Sequence, residues 1–167
     1  MKFRKIDNTS IDDIVAYAIA YQAKHRNVKI YIGTDSIAIG GYILYVTAIA
    51  FRTGREGAHV VYSKERVTSY RTSTGKPDLK TRLIRETQIS CDVADQLIDS
   101  KAFQPEDLTI EMDYNNIVAT VSKSVIPWAT SMVVWKNIKF NLKFTDRGKV
   151  EEQYAVKAAN HICKGSL

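Results

Sequence analysis

Residues 30–36, Ile-Tyr-Ile-Gly-Thr-Asp-Ser, predict the central strand of the fold, which spans 28–36. Because strand side chains alternate between two faces, Ile30 and Ile32 share one face while Gly33 and Asp35 share the other. An acidic residue thus ends a buried strand beside a glycine, which lets another element approach the backbone closely. A carboxylate there is costly unless a cation or a hydrogen-bond donor meets it. Asp35 is therefore the first candidate site residue.

The patterns around this strand predict a single α/β domain. Ser10 and Asp13 have the spacing of a capping box, which predicts an amphipathic helix over about residues 10–25. Asp78 caps a long helix, and Pro127 interrupts or bends a later one. The predicted order then has strands at 41–52 and 58–67, a helix at 78–100, a strand at 108–113, a helix at 115–135, a strand at 138–144 and a helix at 149–163.

This order predicts a five-stranded mixed sheet with helices on both faces. Three strands form an antiparallel meander, and two parallel strands follow them. The helix near residues 10–25 is an extra N-terminal element, and the core spans about 28–163 of a single domain, 1–167.

The composition limits the class of protein and its partners. The 167 residues are 45% hydrophobic and 25% charged, which is typical of a soluble globular domain. A net charge of +6 favours polyanionic partners but leaves a solvated basic surface open. No signal peptide or membrane-spanning run is present, and Cys91 and Cys163 fit buried free thiols. We expect a cytoplasmic protein.

Two further acidic residues are candidates to share a site with Asp35, one at the end of a predicted strand and one on a predicted helix. Asp113 ends the fourth strand, and if that strand lies parallel beside the first, the two aspartates converge. Glu86 falls on the inward stripe of the long helix, whereas Arg82 and Arg85 point away. Converging carboxylates repel one another unless a divalent metal neutralises them. Oxygen ligands suit Mg²⁺ or Mn²⁺.

The motifs at 30–36 and 82–86 (Arg-Leu-Ile-Arg-Glu) and the strand ending in Asp113 resemble the YkuK-like group of ribonuclease H-like proteins. The order of the elements over nearly the whole chain is similar to the ribonuclease H fold. The resemblance implies that Asp35, Glu86 and Asp113 are catalytic ligands of two Mg²⁺ or Mn²⁺ ions. It further implies hydrolysis of phosphodiester bonds in RNA or DNA, leaving a 3′ hydroxyl and a 5′ phosphate.

The last helix departs from the family pattern. Where the resemblance implies a fourth acidic ligand, this chain has Asn160 followed by His161, and both are candidate ligands. A ribonuclease H-fold protein that binds nucleic acid without cleaving it is therefore the alternative function. An actin-like phosphotransferase is disfavoured, because that fold generally needs a second such domain.

Basic residues around the polar loop at 69–77 are candidate nucleic-acid contacts: Lys64, Arg66, Arg71, Lys76 and Lys80. A solvated basic face is the alternative for this set. Trp128 and Trp135 fit a core or dimer face better than a base platform. The substrate and the oligomeric state stay open.

Simpler structural roles stay open for several of these residues. Asp113 also fits a helix cap, and Glu86 an ion pair with Arg82. Glu111 shares a strand face with Asp113 and fits a cross-strand salt bridge better than the site. His25 and His59 show no companion and are expected at the surface.

Overall fold

The strand that carries residues 30–36 lies inside a seven-stranded mixed sheet. The computed structural model describes residues 1–54, 57–69, 78–114, 119–142 and 152–165. The strands are β1 (Phe3–Lys5), β2 (Ser10–Ile11), β3 (Val28–Ile39), β4 (Tyr42–Thr53), β5 (Ala58–Thr68), β6 (Leu108–Met112) and β7 (Lys139–Leu142). The helices are α1 (Ile14–Lys24), α2 (Leu79–Asp99), α3 (Ala119–Val134) and α4 (Ala155–Lys164), with a short 3₁₀ turn at Pro105–Asp107. The strand order is β2-β1-β5-β4-β3-β6-β7.

The prediction of five strands was wrong, because the first eleven residues add two short strands. β1 pairs antiparallel with β2 and with β5, so the N-terminal segment extends the edge of the meander. Ser10 lies in β2, where the neighbouring Ile11 is buried. The helix therefore begins later than predicted, and Asp13 caps it by accepting from the backbone N–H groups of Val15 at 2.8 Å and Ala16 at 3.1 Å.

The predicted strand pairing is confirmed. β3, β4 and β5 form an antiparallel meander, and β6 and β7 add parallel strands beside β3. β3 runs four residues beyond Asp35, so Asp35 lies within the β3–β4 hairpin rather than at a strand end. Pairing between β3 and β6 nevertheless stops at Gly33 and Glu111. The open edge beyond that pair is where Asp35 and Asp113 lie.

Helices cover both faces of the sheet. Residues of α1, α2 and α3 pack with Ile30 and Ile32 on one face. Residues of α4 pack on the other face against Tyr31 and the even-numbered apolar residues of β4. Asp78 caps α2, and Pro127 lies within α3. Residues 115–118 and 143–151, which include the start of the predicted helix at 115–135, the end of the predicted strand at 138–144 and the start of the predicted last helix, lie outside the described residues. No helix in the described ranges has the length and apolar character to cross a membrane.

Helix α4 sits unusually close to β3 because residue 33 is glycine. A Cβ atom on Gly33 would lie 2.5 Å from the backbone N of Val156 and 2.8 Å from its Cα. The neighbouring residue on β6, Glu111, is fully buried and accepts from the backbone N–H groups of Tyr154 at 2.9 Å, Ala155 at 2.7 Å and Val156 at 3.1 Å. Gly33 makes room for the first turn of α4, and Glu111 satisfies its amide groups.

The salt bridge suggested for Glu111 was wrong, since its carboxylate caps α4 instead. Burial raises the pKa of Glu111, and the three N–H bonds oppose that shift. We expect Glu111→Ala to lower the free energy of unfolding by about 2 kcal/mol, because buried amide groups lose their acceptor. Urea denaturation with Glu106→Ala, an exposed acid, as the control measures this. Equal midpoints for the two variants would contradict the capping role.

The remaining residues singled out from the sequence lie partly in the surroundings predicted for them and partly not. His59 has companions: its Nε2 lies 2.7 Å from the hydroxyl of Tyr17, and its ring stacks on Tyr21 at 5.0 Å. His25 is exposed but also stacks on Tyr21, at 4.3 Å. Trp135 is 89% exposed and so is not a core residue. Cys91 and Cys163 are buried free thiols, as predicted.

Candidate active site

A pocket of about 210 Å³ opens where the pairing of β3 with β6 ends, between α2 and α4. It is lined by residues from three elements, β3, α2 and α4, and from the segment after β6: Asp35, Ser36, Ile37, Leu79, Arg82, Leu83, Glu86, Asp113, Asn160, Cys163 and Lys164. The structure thus brings together the three acidic residues singled out from the sequence, with Asn160 beside them. Parallel pairing of β3 and β6 is what makes Asp35 and Asp113 neighbours.

Asp35 is partly buried at the pocket wall. Burial raises the pKa of its carboxyl group, and the nearby Asp113 raises it further. Hydrogen bonds from the backbone N–H of Ser36 and from the side chain of Asn160 oppose the shift, as does the positive charge of Arg82. The carboxylate of Asp35 therefore lies among hydrogen-bond donors and beside a second acid, so a bound cation would favour its charged form.

Glu86 reaches the pocket from the buried face of α2 and is only 5% exposed. Burial and the nearby carboxylate of Asp35 raise the pKa of Glu86 to about 8. The hydroxyl of Ser36 donates to its Oε1 at 2.6 Å and, with Arg82, opposes the shift. Without a further cation, Glu86 is therefore mostly protonated at neutral pH.

Arg82 lines this pocket, contrary to the prediction that it points away from the helix stripe. Its Nε donates to the hydroxyl of Ser36 at 3.1 Å, and its terminal nitrogen donates to the Ser36 carbonyl at 2.5 Å. The long side chain reaches from one turn before Glu86 across to β3. Ser36 thus links the guanidinium of Arg82 to the carboxyl group of Glu86. The suggested alternative, an ion pair between Arg82 and Glu86, is replaced by this link through Ser36.

The two candidates for a fourth ligand both lie on α4 but point to different cavities. Asn160 lines the pocket and hydrogen-bonds to Asp35. His161 is exposed, and it lines a different cavity with Lys5, Ala58 and other residues. Successive residues of a helix point about 100° apart, so only one of the pair faces the carboxylates.

Cys163 was missed as a pocket residue. Its thiol donates to the backbone carbonyl of Asp35 at 3.5 Å, and burial raises its pKa to about 12. The thiol stays protonated and is no nucleophile at neutral pH. Helical spacing from Asn160 predicts that Cys163 and Lys164, three and four residues on, share its face. No comparable spacing in the sequence predicts the hydrogen bonds of Ser36 and Arg82 in the pocket.

The donor chemistry of this pocket suits a hard divalent cation, since it offers three carboxyl groups and an amide oxygen. In the parts of the chain that the structure describes, no three His, Cys, Asp or Glu side chains form a group that could hold a metal ion as they lie. The donors fit in kind, and the acidic side chains would have to draw together around an ion.

The candidate nucleic-acid contacts divide between two places. Lys64 and Arg66 are exposed on β5 and line one groove. Lys80 is exposed in the first turn of α2, next in sequence to the pocket residue Leu79. Arg71 and Lys76 lie outside the described residues.

A family model for ribonuclease H-like proteins matches residues 10–161. That match includes β3, the meander, α2, β6 and most of α4. The chain belongs to the ribonuclease H-like family. None of the curated proteins compared with it matches. Ribonuclease H-like proteins generally bind nucleic acids, and the mixed sheet with covering helices fits their fold. The YkuK-like group remains a prediction.

Proposed function

We propose that this ribonuclease H-like protein is a metal-dependent nuclease that hydrolyses phosphodiester bonds of RNA or DNA by a two-metal mechanism. The observation that carries the proposal is the shared pocket of Asp35, Glu86 and Asp113. Two of the three carboxyl groups have a raised pKa, and repulsion between acids contributes in each case. Such repulsion is relieved when a divalent cation binds.

In this proposal each pocket residue has a defined task. Asp35 is the central ligand for Mg²⁺ or Mn²⁺, and Glu86 and Asp113 complete the carboxylate set. The ions supply Lewis-acid stabilisation of charge on the phosphoryl group. Asn160 contributes an amide oxygen without charge, and its hydrogen bond orients Asp35. Arg82 holds Ser36 against Glu86 and places a positive charge at the pocket wall.

Metal binding is the first test. We expect millimolar Mn²⁺ or Mg²⁺ to raise the thermal unfolding midpoint, with about 2.7 kcal/mol of stabilisation at a hundredfold excess over Kd. Asp35→Asn should abolish the shift, because it removes the central charge. Asp92→Asn, an exposed acid on α2, is the matched control and should keep it. An equal shift in all three proteins would place the metal elsewhere and contradict the proposed ligand set.

Cleavage is then tested with labelled RNA, DNA and RNA–DNA hybrid in the presence of Mn²⁺. Wild type should cleave at least one of these, and Asp35→Asn should lose about a hundredfold or more. The products should carry 3′ hydroxyl and 5′ phosphate ends. Absence of cleavage of all three substrates by a metal-binding wild type would overturn the nuclease proposal for these substrates.

The second candidate function is nucleic-acid binding without cleavage, and the position of Asn160 favours it. An amide stands beside Asp35 where the family resemblance implies a fourth acid, and Arg82 already supplies a cation to the carboxylates. If the site has lost activity through this residue, Asn160→Asp should gain metal-dependent cleavage over wild type. Asn160→Ala is the control, since it removes the hydrogen bond without adding charge. Cleavage by wild type that Asn160→Asp does not increase would exclude this explanation.

A further inference from the structure

A basic groove lies over β1 and β5, next to the edge strand β2. It has a volume of about 410 Å³ and is lined by Lys2, Arg4, Asn8, Tyr62, Lys64 and Arg66. Its four cations are exposed, and its described lining includes no carboxylate. We call it the edge groove. Lys2 and Arg4 belong to the N-terminal segment that the sequence patterns did not predict as part of the sheet.

The edge groove lies on the same face of the sheet as Asp35. In the register of the meander, Asp35 pairs with Val46, and Val46 pairs with Lys64. Paired residues in antiparallel strands point to the same face, so the three side chains point the same way, with Val46 buried beneath α4 between the other two. Two strand spacings place the Cα atom of Lys64 about 10 Å from the Cα atom of Asp35. Arg4 pairs with Tyr62 one strand further out, so the cations extend away from the pocket.

The aromatic rings in this region support the cations rather than offering a surface to bases. Tyr62 is 8% exposed, and its hydroxyl donates to Oδ1 of Asn8 at 2.6 Å. The Lys64 ammonium lies 5.8 Å from the Tyr62 ring centre, and the Arg66 guanidinium lies 5.0 Å from that of Tyr42. Rings that pack beneath cations hold them in place. The groove therefore presents charge without a stacking platform, which suits phosphates rather than bases.

We propose that the edge groove binds the phosphate backbone of the nucleic-acid strand whose reacting phosphate lies at the Asp35 pocket. This inference rests on the proposed function for its orientation, since the pocket marks one end of the strand's path. Lys64 and Arg66 contact phosphates nearest the pocket, and Lys2 and Arg4 contact those further along. Recognition here is independent of base sequence.

The test compares two double variants that remove the same charge. The first double variant, Lys2→Ala with Arg4→Ala, changes the edge groove. The control, Lys24→Ala with Arg26→Ala, changes exposed residues just before β3 begins, far along that strand from Asp35. Binding of a fluorescent single strand of about ten nucleotides is measured by anisotropy over a range of salt concentrations in EDTA. The groove variant should bind about tenfold more weakly, with a salt slope lower by about 1.4, while the control stays near wild type.

The outcomes separate this inference from the nuclease proposal. Equal affinities and salt slopes for the two double variants would overturn the edge groove as a phosphate site. Loss of affinity only in the groove variant would support it even if the wild type cleaves nothing. Polyglutamate of matched charge is added as a competitor: displacement as efficient as by unlabelled oligonucleotide would show a general polyanion surface and overturn the assignment to nucleic acid.

Discussion

The metal-free protein should lose stability as the pH rises from about 4.5 to about 8, by up to roughly 1.4 kcal/mol per pH unit from Glu86 alone. Burial and Asp35, with a smaller part from Asp113, raise the pKa of Glu86 to about 8, whereas Ser36 and Arg82 oppose the shift. Between these pH values the folded state holds a proton that the unfolded state has released. The stabilising effect is therefore complete below pH 4.5 and is lost as the pH approaches 8.

Glu86→Gln isolates this contribution, because glutamine keeps an acceptor for Ser36 and cannot ionise. The variant should match wild type near pH 5 and become the more stable protein near pH 9, by several kcal/mol. Urea denaturation in EDTA across the pH range measures the difference. Glu106→Gln, an exposed acid, should track wild type throughout. A constant difference between Glu86→Gln and wild type at all pH values would contradict a raised pKa for Glu86.

Gly33→Ala should destabilise the protein by about 3 kcal/mol, which is large for the addition of one methyl group. The new Cβ would lie 2.5 Å from the backbone N of Val156, closer than such atoms can approach. Backbone cannot rotate aside as a side chain does, so the first turn of α4 must move away from β3. That movement would also pull the amide groups of this turn from the carboxylate of Glu111 and shift Asn160 relative to Asp35.

Chemical denaturation of Gly33→Ala and Gly41→Ala tests this expectation. Gly41 lies in the turn between β3 and β4, and apart from Gly41 and its two chain neighbours no described residue has an atom within 4 Å of the position that a Cβ would take there. Gly41→Ala should therefore stay within about 0.5 kcal/mol of wild type. If the close contact is the cause, Gly33→Ala should also weaken Mn²⁺ binding, since α4 carries Asn160. A Gly33→Ala protein as stable as Gly41→Ala would show that α4 does not depend on this approach.

Much of the fold follows from short-range pattern. Alternation in residues 28–36 predicted both the central strand and the face on which Gly33 and Asp35 lie, because the two-residue period is a property of the strand itself. The Asp78 cap and the inward position of Glu86 follow from helix geometry in the same way. Parallel pairing of β3 with β6 was predictable from the order of elements.

Partners far apart in sequence escaped prediction. Glu111 caps a helix whose first turn lies 43 to 45 residues later, and no local feature marks that pairing. β1 and β2 have three and two residues, too few for an alternating pattern to register. β1 is held by pairing with β5, and β2 is held by pairing with β1, so only the assembled sheet makes them strands.

For this protein the amino-acid sequence was sufficient to predict which acids would lie close together. Strand alternation and helix periodicity are local properties, and the order of the elements along the chain limits the topology. The surroundings of those acids depend on the tertiary structure. Arg82 turns into the pocket to bind Ser36, Asn160 rather than His161 faces Asp35, and Lys2 and Arg4 extend a row of cations from the same face. Each of these depends on side-chain direction or on packing between distant segments, which periodicity does not specify.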